Sequence, residues 1–141
     1  MALIVGALAV AACASTLPEV KMYDGPVQPG REVRLEAAAG AGKVEIVKVD
    51  GKAPVGGLAG LDHQARAVSL LPGKHTVVAK FSERDSVAYS RELWFVGEPG
   101  KTYFVRADPA SASFLGTTSV QFWIQDGAAR RVGGVVVGNS K

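Results

Sequence analysis

Polar and apolar positions alternate along most of this chain in short runs that stop at glycine and proline. Glu32-Val33-Arg34-Leu35-Glu36 puts Val33 and Leu35 on one side, the two-residue period of a half-buried strand. Val44-Glu45-Ile46-Val47-Lys48-Val49 follows and ends at Asp50-Gly51, a strong hairpin dipeptide. Val68-Ser69-Leu70-Leu71 runs into Pro72-Gly73 and continues as His75-Thr76-Val77-Val78-Ala79-Lys80-Phe81. This segment is expected to be a hairpin, with Gly73 at the third position of a type II turn and Val68 and Leu70 beside Val77 and Ala79. Leu93-Trp94-Phe95-Val96 meets Glu98-Pro99-Gly100-Lys101 and returns as Thr102-Tyr103-Phe104-Val105-Arg106. The last runs are Val120-Gln121-Phe122-Trp123-Ile124 and residues 132–137, joined by a turn at Asp126-Gly127. Turns recurring every 8–12 residues predict an all-β fold, an antiparallel β-sandwich of about seven or eight strands. No window after residue 13 sustains three turns of amphipathic helix. Ala37-Ala38-Ala39 is stopped by Gly40 and Gly42, and Leu58-Ala59-Gly60-Leu61-Asp62-His63-Gln64-Ala65 offers one loose turn.

The first twelve residues break the alternation, being wholly uncharged and apolar. Ala2-Leu3-Ile4-Val5-Gly6-Ala7-Leu8-Ala9-Val10 has the length of a signal-peptide core and falls well short of the ~20 residues that cross a bilayer as a helix. Val10-Ala11-Ala12-Cys13 then resembles a bacterial lipobox, in which an aliphatic and two small residues precede an obligatory cysteine. The resemblance implies cleavage after Ala12 and a diacylglycerol thioether on Cys13. It also implies outer-membrane placement facing the periplasm, since Ala14 stands where an aspartate would retain the protein in the inner membrane. The expected organisation is a signal peptide over 1–12, a lipidated cysteine and flexible tether over 13–31, and the sandwich over 32–141. The expected partners are membrane lipid, through acylated Cys13, and another envelope protein.

Leu71-Pro72-Gly73-Lys74-His75-Thr76-Val77 is similar to a hairpin of PEGA-type modules and other small transthyretin-like or immunoglobulin-like sandwiches. Glu98-Pro99-Gly100-Lys101-Thr102-Tyr103 resembles a later hairpin of the same architecture. The likeness spans residues 66–137 and rests on turns, so it speaks to fold rather than function.

Composition narrows the classes further. Of 141 residues, 48% are hydrophobic and the formal net charge is only +3, which excludes an intrinsically disordered chain. A single cysteine excludes an intramolecular disulfide. His63 and His75 stand twelve positions apart without neighbouring ligands, so no metal or other cofactor is expected. Gly-x-Ser-x-Gly does not occur, and a set such as Ser69, His75 and Asp85 has no meaning without geometry. Gly40-Ala41-Gly42-Lys43 lacks the earlier glycine and the following Ser or Thr of a phosphate loop.

Two features remain as candidate binding surfaces. Arg130, Arg131 and Lys141 follow Asp126 with no later acid, making a basic end suited to anionic lipids or cell-wall polymers. In Trp94-Phe95 and Phe122-Trp123 one member of each pair points inward and the other outward, so Trp94 and Trp123 are candidates for an exposed platform for sugar or an extended peptide. The sequence thus predicts a membrane-anchored, periplasm-facing, non-catalytic binding or assembly module of the bacterial envelope. Glycan or cell-wall binding through the tryptophans is the alternative, and an envelope hydrolase comes third. Nucleic acid is not an expected partner of an exported chain.

Overall fold

The computed structural model describes residues 19–38, 43–54, 66–82, 89–109, 112–113, 116–117 and 120–137. Cys13 and the leader before it, the segment Gly40-Ala41-Gly42, residues 58–65 with His63, Asp85 and Lys141 lie outside them. Among the described residues there is no helix, and ten strands form two sheets. The larger sheet holds β1 (Glu19–Lys21), β4 (Ala67–Leu70), β2 (Val33–Ala37), β7 (Thr102–Pro109), β10 (Val120–Asp126) and β11 (Arg131–Val132), in that spatial order. The smaller holds β12 (Gly134–Val135), β6 (Tyr89–Gly97), β5 (Gly73–Ser82) and β3 (Lys43–Val49). A separate two-stranded ribbon pairs β8 (Ala112–Ser113) with β9 (Gly116–Thr117). Pairing is mostly antiparallel, with two parallel neighbours, β1 with β4 and β2 with β7.

Alternation in the sequence becomes the sandwich core. Val33 and Leu35, Tyr103 and Val105, and Phe122 and Ile124 point in from the larger sheet. Val77, Ala79 and Phe81, with Leu93 and Phe95, meet them from the smaller. On β3 the register shifts between Ile46 and Lys48. That bulge takes up Val47 and lets Ile46 and Val49, an odd number of residues apart, both face the core.

Two expected hairpins are not hairpins. β4 belongs to the larger sheet and β5 to the smaller, so Leu71-Pro72 carries the chain across the sandwich. The physical reason lies in Pro72. A two-residue hairpin needs a type I′ or II′ turn with positive φ at its first or both central residues, and proline fixes φ near −65°. Gly73 has φ 135°, away from the ~80° of a type II turn. Val68 and Leu70 therefore meet Val77 and Ala79 within the same core rather than along one ladder. The Glu98-Pro99-Gly100-Lys101 turn also changes sheets, from β6 to β7. It has type II character, with the Lys101 N–H donating to the Glu98 carbonyl at 3.2 Å and Gly100 at φ 72°. A Cβ at residue 100 would also sit 2.9 Å from the Gly30 carbonyl oxygen.

Two other turns behave as expected. Asp50 and Gly51 adopt φ 50° and 79°, and Val49 and Lys52 exchange both backbone hydrogen bonds, as in a type I′ turn. β10 and β11 form an antiparallel hairpin through residues 126–130. The expected strand over 132–137 is divided at Gly133, with β11 in one sheet and β12 in the other. This segment joins the two sheets at one edge.

The expected tether is shorter than the sequence suggests. β1 pairs with β4 from Glu19 onward. Past it, the Tyr23 hydroxyl donates to Glu32, and Gly100 N–H donates to the Glu32 carbonyl at 3.2 Å. Val20 is buried in the core of the sandwich, and the largely exposed loop that follows β1 is held through Tyr23 and Glu32.

Candidate functional site

The strand directions sort the loops into two ends. β1 and β4 run together, β2 opposes β4, and β7 follows β2. Glu19 therefore lies at the same end as the close of β2 and β7 and the start of β10. The turns at 49–52, 71–73, 97–101 and 126–130 gather at the other end. The loop over residues 22–32 joins them there, through the contacts that Glu32 and Gly30 make with Gly100.

At this remote end a cleft of about 470 Å³ opens between the 97–101 and 126–130 turns. Val96, Val132 and Tyr103 contribute apolar side chains to its lining. Val96 is 53% exposed, whereas the Tyr103 ring is buried and packs on Phe95 at 5.1 Å. The Tyr103 hydroxyl accepts a hydrogen bond from the Glu98 N–H at 3.0 Å, fixing the first turn to the floor. Each wall carries one cation and one carboxylate. Lys101 Nζ lies 3.6 Å from Glu98, with both side chains more than half exposed; Arg130 Nε lies 3.3 Å from Asp126.

The two carboxylates differ in how far they are already used. Asp126 Oδ1 accepts from the Ala128 N–H at 2.9 Å and the Arg130 N–H at 3.0 Å. These backbone bonds, led by that from Arg130 and aided by its guanidinium, hold the Asp126 carboxyl below the ordinary aspartate value. Its charge is spent on closing its own turn. The Arg130 side chain remains 80% exposed and meets Asp126 through its Nε.

The other residues singled out from sequence fall elsewhere. Phe95 and Phe122 are the inward members of their pairs, and Trp94 and Trp123 the half-buried outward ones. Trp94 lies on the smaller sheet and Trp123 on the larger, so the two indoles occupy opposite outer faces. They cannot form one platform. Each ring also has a cation over it, Lys74 at 5.1 Å from the Trp94 centroid and Arg131 at 4.4 Å from that of Trp123. Arg130 and Arg131, grouped by sequence into one basic end, diverge: Arg130 lines the cleft and Arg131 stacks on the outer face.

His75 sits in the third position of β5, not the first, and has two short contacts. Its Nδ1 is 2.7 Å from Asp50 Oδ2, and its Nε2 is 2.7 Å from the Leu71 carbonyl oxygen. Asp50 Oδ1 also accepts from the Thr76 N–H at 2.9 Å. Such an aspartate–histidine pair suits acid–base chemistry only when the second nitrogen meets a reacting group, and here it meets a backbone carbonyl. The pair ties the Asp50-Gly51 turn to the sheet-crossing link. Ser69 donates instead to Glu19, which separates it from His75. Among the described residues no group of three or more His, Cys, Asp or Glu is placed to hold a metal ion.

What fold and cleft define together is an all-β sandwich with a small polar-rimmed groove at one end. The chain matches no family model, no curated protein and no solved structure.

Proposed function

We propose that this protein is a lipid-anchored, non-catalytic binding or assembly module of the bacterial cell envelope, facing the periplasm from the outer membrane. The observation that carries the reading is the lipobox-like Val10-Ala11-Ala12-Cys13 placed six positions before the first strand residue, Glu19. A chain of that length spans at most about 20 Å, so an acylated Cys13 would hold the sandwich close to the membrane. Two or three acyl chains give firm anchoring where one gives marginal binding. With the anchor at the N-terminal end of β1, the cleft and its neighbouring turns, at the opposite end of the strands, would face away from the lipid toward other envelope components.

The test is mass spectrometry and fractionation of the membrane-purified protein. A diacylglycerol-modified Cys13 at the new N-terminus is expected, and a Cys13→Ala variant should accumulate as an uncleaved precursor or be released. A Cys13→Ala protein that is processed and membrane-bound as before would overturn the reading.

A further inference from the structure

We propose that the cleft at the remote end binds an anionic oxo group, carboxylate or phosphate, carried on a short apolar stem. The inference deepens the binding-module reading and rests on it. The walls of the cleft supply the charge. Asp126 is engaged within its own turn, its Oδ1 by two backbone N–H groups and its Oδ2 by the Arg130 Nε at 3.3 Å. Arg130 meets Asp126 through its Nε and is otherwise 80% exposed, and a guanidinium fork matches the paired oxygens of a carboxylate or phosphate. On the opposite wall the Lys101–Glu98 separation of 3.6 Å between exposed side chains makes a weak pair that an incoming anion can displace.

The floor supplies the second half of the specificity. Val96, half exposed at the end of β6, and Val132 on β11 present apolar surface beside the two cations. An inorganic anion would leave this surface wet, and a neutral alkyl chain would gain nothing from the exposed ends of the two cations. The volume falls in the range of small-ligand clefts. Both turns are held by backbone hydrogen bonds, Lys101 to Glu98 and Asp126 to Arg130, so the cations stand on fixed supports.

The test uses the mature full-length protein in a neutral detergent, isotope-labelled at nitrogen and titrated at low salt with butyrate, butyl phosphate and butanol. Amide shifts of Gly100, Gly127 and Ala128 report on the cleft. Saturable shifts are expected with the two anions and none with butanol, and the tighter anion identifies which oxo group is preferred. Arg130→Gln should weaken that anion about fivefold and Lys101→Gln less, in keeping with exposed charge pairs. Arg131→Gln, on the opposite face of its strand, should leave binding unchanged. The Arg130 variant keeps the backbone N–H that closes the turn, so its fold is retained. An equal response to butanol, anion binding that survives both cleft substitutions, or no saturable shift would each overturn the proposal. Failure here with a lipidated Cys13 refutes the ligand class and leaves the anchoring intact; an unmodified Cys13 with anion binding does the reverse.

Discussion

Gly133 is the position where the sandwich tolerates least. Its φ is 69°, and a Cβ built there would lie 1.8 Å from the Trp94 carbonyl oxygen and 2.9 Å from the Phe95 Cα. These are backbone atoms of β6, the strand that β12 pairs with through Gly134–Trp94 and Val135–Leu93. Gly133→Ala must therefore release β12 from β6 or displace β6 from the core. The left-handed backbone alone costs an L-residue about 1–2 kcal/mol. Releasing β12 forfeits its ladder and the Val136 N–H bond to the Glu92 carbonyl, at about 1 kcal/mol for each hydrogen bond. A total of about 3–5 kcal/mol is expected from these two contributions.

Gly73 separates the contributions, having φ 135° but no atom within 4 Å of the place a Cβ would take. Gly73→Ala should cost only the backbone strain, about 1–2 kcal/mol. Urea unfolding of both variants, followed by tryptophan fluorescence and far-ultraviolet dichroism, gives the two differences on one scale. Equal losses in the two variants would refute the close approach of the last strands to Trp94.

Ala129 holds φ 60°, so Ala129→Gly should raise the unfolding midpoint by about 0.5–1 kcal/mol of stability, measured in the same urea series. Asp50→Ala removes the carboxylate shared by His75 and the Thr76 N–H and should cost about 1–3 kcal/mol; Asp50→Asn keeps an acceptor for Thr76 and should cost less, and denaturant midpoints rank the two. The Asp126 carboxyl is lowered in the folded protein chiefly by the backbone bond from Arg130, so its contribution is complete above the unfolded aspartate pKa and disappears as pH falls through the folded value. Stability relative to Asp126→Asn should shrink on acidification, and unfolding midpoints from neutral to strongly acid pH check the sign.

Seven of the eight runs read from the sequence are strands, and the eighth, 132–137, is split into two short ones; side-chain period is a local property that survives any choice of sheet. Strand partners are not local. Val68 and Leu70 point inward as their alternation requires, yet periodicity says nothing about which of two sheets a strand joins. That information resides in Pro72, whose fixed φ excludes the primed turns of a two-residue hairpin. Glu19-Val20-Lys21 escapes a periodicity reading because three residues after a proline give one inward position and no repeat. The division of residues 132–137 is signalled by Gly133-Gly134, since glycine inside a strand marks a bend or a close backbone approach. The charge of Arg130 is plain in the sequence, but its cleft partners are not. Lys101 comes beside the 126–130 turn because β7 pairs with β10, with Tyr103 opposite Asp126, and Val96 joins it from the end of β6, across the turn that leads into β7.

On the proposed anchoring, the sandwich acts as a spacer with two functionally different ends. β7 extends over eight residues, about 25 Å at ordinary strand rise, and it begins at the cleft and ends on the side where β1 starts. Adding the at most about 20 Å between Cys13 and Glu19 keeps the cleft within roughly 45 Å of the bilayer surface. Among the described residues the turns at 49–52, 71–73, 97–101 and 126–130 gather at the remote end, and the sheets supply the stiffness behind them. A long flexible tether would let the cleft explore any orientation. With β1 paired to β4 from Glu19 onward, at most six residues separate the proposed anchor from the folded domain, and the length of the strands sets how far the cleft reaches.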